Sequence, residues 1–195
     1  LGWMGLVSHD GKKISFGREA EDNWFVHPRR ICHNFWSRLS RESSTLTHEG
    51  RALSFSQLAY YFLSDYRDRL AAVSGTPEKV MLAVPGAYLK DAATEDEKIG
   101  LLLGMASELK LPLAGIIDMA CAAVNDPRLD YFDRTQPLLV IDIHLHGAEI
   151  TLLRNEGGRF MRHDFSELPQ AGYAGFLRHA MTAMGNRFLR HTTFD

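Results

Sequence analysis

From Phe55 to Val73 the apolar residues Phe55, Leu58, Ala59, Phe62, Leu63, Tyr66, Leu70 and Val73 recur at three- and four-residue spacing. That period predicts an amphipathic helix with one buried face. Ser54 and Gln57 form a capping box at its start, and Ser74-Gly75 with Pro77 ends it. A second stripe of Phe176, Leu177, Ala180, Met181, Met184 and Phe188 predicts a helix over about Tyr173 to His191. Between these lie short apolar runs that read as strands: Lys79 to Val84, stopped by Pro85-Gly86; Pro112 to Ile117; and Pro137 to Ile143, Glu149 to Arg154 and Arg159 to Asp164. Gly157-Gly158 turns the last pair. Thr94 with Glu97 predicts a capped helix through Leu109, and Asp118 to Asn125 reads as a short helix of small residues suited to packing on a sheet.

Before Phe55 the pattern is less regular. Trp3 to Val7 and Lys13 to Phe16 read as a hairpin about Asp10-Gly11, closed by Gly17. Ile31, Phe35, Trp36 and Leu39 show a short helical period, and residues 40–54 form a polar loop with room for a small ribbon. No internal repeat or low-complexity tract is present. The alternation of helices and strands predicts an α/β fold with a mixed sheet backed by helices.

The 195 residues, 45% hydrophobic and 24% charged, suffice for one large domain or two small ones. A net charge of −2 argues against nucleic acid or an anionic membrane as the main partner, since such surfaces rely on basic excess. Cys32 and Cys121 belong to no metal or redox spacing, which suits a reducing, cytoplasmic setting. No apolar run approaches the roughly 20 residues of a membrane helix. The start at Leu1 and the end at Asp195, shortly after a strong helix, point to a piece of a longer protein.

Four segments carry a resemblance. Gly17-Arg18-Glu19-Ala20 is similar to a G-x-x-A helix start, and Ala83-Val84-Pro85-Gly86-Ala87-Tyr88 to a V-P-A-Y strand end with one residue inserted. Ile116-Ile117-Asp118-Met119-Ala120-Cys121-Ala122-Ala123 resembles an I-I-N-E-P-T-A-A stretch, and Asp142 opens a segment that resembles the phosphate loop D-x-G-G-G-T-x-D. In this order they resemble the actin-like ATPase superfamily, most closely the nucleotide-binding domain of the seventy-kilodalton heat-shock chaperones. The resemblance implies an actin-like, ribonuclease H-like fold, with residues 1–135 as most of a first lobe and 136–195 as the opening hairpins and first helix of a second.

The departures from that family fall on its chemistry. Its phosphate-facing Lys corresponds to Glu21, its water-orienting Glu to Met119, and its three loop glycines to His144-Leu145-His146. Its Thr corresponds to Gly147 and its closing Asp to Glu149, while Asp142 alone is kept. Side chains at 144–146 obstruct the close backbone approach that phosphate needs. Removing one preorganised electrostatic contact costs about 10²–10³ in rate, so the resemblance implies little hydrolysis and a magnesium-bound ATP held weakly or not at all.

The expected product is a non-hydrolysing or weakly hydrolysing pseudo-ATPase that binds a protein partner or client. A chaperone-type ATPase with compensating residues, and an actin-like assembly scaffold, are the alternatives. The candidate nucleotide contacts are Asp142, His144, Leu145, His146 and Gly147, with Asp142 the single catalytic candidate. Asp142 equally suits a turn cap. His144-x-His146 with His163 or Glu149 offers metal donors but no clear third ligand, and no metal is expected. Arg178, Arg187 and Arg190 form an exposed helical face or meet an acidic partner.

Overall fold

The structure, a computed structural model, describes residues 5–9, 13–42, 45–48, 51–128 and 133–191. It is a mixed α/β chain that divides into two compact units, Leu1–Met81 with Asp91–Gly115 and Leu82–Lys90 with Ile116–Asp195.

In the first unit Val7–His9 (β1), Ile14–Phe16 (β2) and Ile31–Cys32 (β3) form an antiparallel sheet in the order β2-β1-β3. The first strand lies later than the expected Trp3 to Val7, because pairing Val7 with Phe16 buries both side chains. Trp3 and the expected Asp10-Gly11 turn lie outside the described residues. Helix α1 (Arg18–Val26) follows Gly17, as the G-x-x-A segment predicts, and Ala20 on it is buried.

The helical period at Ile31 to Leu39 does not yield a helix. A 3-10 turn at Pro28–Arg30 leads into β3, and one further turn carries hydrogen bonds from Arg38 N to Asn34 O and Leu39 N to Trp36 O, both 3.1 Å. Phe35 and Leu39 are four residues apart and fully buried, which one turn achieves. Ile31 instead pairs with Ser8 in the sheet.

Thr45–His48 (β4) and Arg51–Ser54 (β5) form the small ribbon, and α2 (Phe55–Ser74) follows directly. Its capping box is complete: Ser54 Oγ accepts from Gln57 N at 3.1 Å and Gln57 Oε1 accepts from Ser54 N at 2.8 Å. Phe55, Leu58, Ala59 and Phe62 are buried, and Phe62 meets Phe16, Phe35 and Trp36 at centroid distances of 5.7 to 6.0 Å.

Helix α3 (Ala92–Glu108) starts earlier than the Thr94-Glu97 pair predicts. Asp91 is its cap, accepting from Thr94 N at 2.8 Å and Thr94 Oγ1 at 3.0 Å. Asp outranks Thr as a cap, and here its two oxygens take both the Thr94 amide and the Thr94 hydroxyl. Glu97 turns instead to Ser40 Oγ and Arg41 N at 2.8 and 2.9 Å.

Val80–Val84 (β6) and Leu113–Asp118 (β7) pair as a two-stranded sheet, and the division between the units falls within both strands. In the second unit a 3-10 turn (Gly86–Leu89) follows β6, and α4 (Met119–Val124) follows β7. Leu138–Ile143 (β8), Ala148–Glu156 (β9) and Arg159–Leu168 (β10) make an antiparallel sheet in the order β10-β9-β8. Gly157 and Gly158 turn its second hairpin with φ of 62° and 86°, values that favour glycine at both places.

The face of this sheet carrying Leu138, Val140, Leu153 and Phe160 packs on Ile117, Cys121 and Val124. Asn125, just past α4, donates from Nδ2 to Phe160 O at 2.8 Å and accepts from Phe160 N at 3.0 Å, pairing a backbone stretch of the edge strand. Helix α5 (Tyr173–His191) has the predicted bounds, but none of its residues is buried.

Candidate functional site

Asp142 and Glu149 are direct partners across β8 and β9, so their side chains project from the same face of the sheet. Beyond Pro85 the chain enters a 3-10 turn whose first amides have no carbonyl within the turn to bind. The Glu149 carboxylate takes that place, accepting from Gly86 N at 2.8 Å and Ala87 N at 3.2 Å. Its side chain is only 9% exposed.

His144 stands between the two acids. Its Nε2 lies 3.6 Å from Asp142 Oδ2 and 3.7 Å from Glu149 Oε2, and this buried nitrogen makes no hydrogen bond. Both separations exceed hydrogen-bond length, so the attraction to the two carboxylates is electrostatic and acts when the imidazole is protonated. The pull of Glu149, then that of Asp142, raises the His144 pKa above its ordinary value against the opposing effect of burial. For Glu149 burial acts upward, and the partners His144, Ala87 and Gly86 outweigh it and hold the carboxyl below its usual range.

The β8–β9 turn uses its own polar groups internally. His144 N donates to Gly147 O at 2.8 Å. Tyr173 N and Ala174 N, at the start of α5, donate to His144 O and Leu145 O, each at 2.9 Å. A Cβ on Gly172 would sit 2.3 Å from both Gly147 N and His146 C, so the bare Gly172 backbone lies directly on this turn. Leu145, His146 and Gly147 are half-buried beneath this contact.

A second polar chain braces the Gly86–Leu89 turn. Arg162 Nη1 donates to Gly86 O and to Asp118 Oδ2, both at 3.1 Å, and Nη2 donates to Leu89 O at 2.5 Å. Asp118 in turn caps α4 by accepting from Ala120 N at 2.8 Å. The register slips between Arg162 and Asp164, leaving His163 as an extra residue in β10. Without that bulge Arg162 and Phe165 would face opposite sides. With it, both reach the turn: the Arg162 guanidinium lies 5.5 Å from the Phe165 ring centroid, and a Cβ on Gly86 would meet that ring at 2.5 Å.

The structure thus gathers Asp142, His144 and the Glu149 that follows them into one cluster, and presses Leu145, His146 and Gly147 against the start of α5. Glu21 lies on α1 of the other unit and Met119 opens α4. His163 sits exposed at its bulge, and among the described residues no three His, Cys, Asp or Glu side chains are placed to hold a metal ion. Burial raises the pKa of both thiols, Cys32 and Cys121, away from reactive thiolate. Sequence reasoning missed Arg162 and the pairing of Glu149 with the Gly86 and Ala87 amides.

No described helix is long and apolar enough to cross a membrane. No protein-family model matches the chain, and no curated protein matches it.

Proposed function

We propose that this chain is a divergent relative of the actin-like ATPases, nearest the heat-shock chaperones, that has given up nucleotide hydrolysis and serves in protein interaction or regulation. In this reading residues 1–135 are most of a first lobe and 136–195 the opening of a second, in a cytoplasmic protein.

One observation carries the reading. The paired amides of Gly86 and Ala87 are the kind of donor set that holds an anion, and they are already bound to the internal carboxylate of Glu149. The neighbouring turn points Asp142 and Glu149 at His144 and directs its carbonyls to α5. A phosphate brought here would meet two carboxylates and no open amide cradle, and repulsion by fixed negative charge opposes both binding and phosphoryl transfer.

The reading is tested by calorimetric titration of the protein with ATP and magnesium, alongside a phosphate-release assay. Neither heat of binding at about 1 mM ligand nor turnover above background is expected. Saturable micromolar binding, with magnesium-dependent turnover abolished by Asp142→Asn, would establish the working-ATPase alternative instead.

A further inference from the structure

His144 is engaged through both its backbone and its ring. Its amide donates to Gly147 O at 2.8 Å and its carbonyl accepts from Tyr173 N at 2.9 Å, so it closes the β8–β9 turn and carries the first amide of α5. Its ring nitrogen Nε2 is buried between Asp142 Oδ2 and Glu149 Oε2, 3.6 and 3.7 Å away, and makes no hydrogen bond. Asp142 and Glu149 are direct cross-strand partners, a position at which two like charges destabilise a sheet. A cation between them offsets that repulsion, and a neutral ring leaves it in place.

The two acids differ in freedom. Glu149 is pinned by the Gly86 and Ala87 amides and is only 9% exposed, whereas Asp142 is 35% exposed and lies one residue before the end of β8. The repulsion left by a neutral ring therefore falls on the end of β8 and on the turn, against which the bare Gly172 backbone lies. Other charged groups on this face have their own partners: β10 brings Glu167, 3.8 Å from Lys90, and Arg162, bound to the Asp118 that caps α4. The Gly86–Leu89 turn adds Tyr88, whose phenol is held well above its ordinary pKa by burial and by the Glu149 charge, and α5 adds Tyr173 at its first residue. An imidazole is the one side chain that ordinarily changes charge between about pH 5 and 8, and the β8–β9 turn has two, His144 and His146.

We propose that His144 is a proton-operated latch on α5: the protonated ring draws Asp142 and Glu149 together and holds the 144–147 turn against Gly172, and loss of that proton frees the turn and with it the first bonds of α5. Attachment of the helix is then tighter in mildly acidic than in alkaline buffer, in line with the raised His144 pKa. The latch is independent of the state of the nucleotide site. Linkage makes it reciprocal: a proton that favours docking of α5 is itself favoured, by the same factor, when α5 is docked. A difference of about one pKa unit between docked and released turn is about tenfold in the docking equilibrium.

Hydrogen exchange of the Tyr173 and Ala174 amides in the whole chain, corrected for the base catalysis of free amides, is measured at about pH 6 and about pH 8. Protection is expected to fall at least about threefold at the higher pH. His144→Gln should remove that step and His146→Gln should keep it. Equal protection at both pH values, a step that survives His144→Gln, or one that His146→Gln abolishes overturns the latch. Exchange at both amides should be insensitive to dilute urea, the mark of a local opening that exposes little surface. A urea dependence equal to that of the α2 amides would assign the step to global unfolding and overturn the latch as well. The reciprocal measurement reads the proton directly: in an NMR titration the His144 ring of Gly172→Ala should titrate closer to the ordinary midpoint, about pH 6.5, because the released turn no longer holds it between the acids. A midpoint unchanged by Gly172→Ala would show that docking and protonation are uncoupled.

Discussion

Glu149 holds Gly86: a carboxylate from the middle strand of the second unit's sheet accepts the amide of the residue following Pro85, 63 positions earlier, at 2.8 Å. The same carboxylate takes Ala87 N at 3.2 Å, so one buried anion fixes the whole entry to the turn. Charge-assisted hydrogen bonds of this kind contribute more than neutral ones, and removing the acceptor leaves buried donors unmet.

Glu149→Gln keeps the shape, loses the charge and turns an N–H₂ toward one of the amides. Unfolding in urea should show a loss of about 1–3 kcal/mol. An unchanged midpoint would mean that the two amides are satisfied equally well by water.

Arg162 is the second tie on that turn, and its loss is predicted to cost more. Arg162→Met strands Asp118, 8% exposed, without its counter-charge and frees the carbonyls of Gly86 and Leu89. Breaking one partner of such a pair costs about 3–5 kcal/mol. Removing both charges, in Arg162→Met with Asp118→Asn, should recover part of the loss, and a double-mutant cycle in urea measures that coupling. Arg162→Lys should fall between, since an ammonium cannot span three acceptors as the guanidinium fork does.

Stability should depend on pH through His144 and Glu149 in opposite senses. The His144 pKa is raised on folding, so its contribution is complete below about pH 6.5 and is lost as pH rises through the higher folded value. The Glu149 pKa is lowered, so its contribution is complete above its unfolded value and is lost as pH falls through the folded one. A urea midpoint that is highest in mildly acidic buffer and declines toward pH 8 is expected. His144→Gln should flatten the decline on the alkaline side and shrink the acid side as well, since His144 is one of the groups that hold the Glu149 pKa down, while the Gly86 and Ala87 amides keep part of it. A decline that survives this substitution would assign the titration to another group.

Much of the fold was legible in local pattern. The Ser54 capping box, the Gly157-Gly158 turn and the bounds of α5 all depend on neighbours in sequence, and each is found where the pattern puts it. The α3 cap was misread because a Thr-x-x-Glu spacing competes with an Asp three residues before the Thr, and a carboxylate reaches two donors at once. The candidate site was half legible. Asp142 near the end of its strand and His144 just past it are close in sequence and were both among the candidate residues, whereas Arg162 reads as an exposed strand residue. Only the bulge at His163, which no residue type announces, brings Arg162 and Phe165 to the same turn.

The attachment of α5 gives the last prediction. Gly172 is buried, and a Cβ there would overlap the Gly147 and His146 backbone at 2.3 Å, where no flexible side chain can yield. Gly172→Ala must therefore push the start of α5 off the β8–β9 turn, breaking the bonds from Tyr173 N to His144 O and Ala174 N to Leu145 O. Overpacking typically costs about 1–3 kcal/mol, but no α5 residue is buried, so the damage should stay local. Hydrogen exchange at the Tyr173 and Ala174 amides should rise at least about tenfold, while the amides of α2 keep their protection. Faster exchange throughout the chain would show that the contact supports the fold as a whole, and unchanged exchange would show that α5 is held elsewhere along its length.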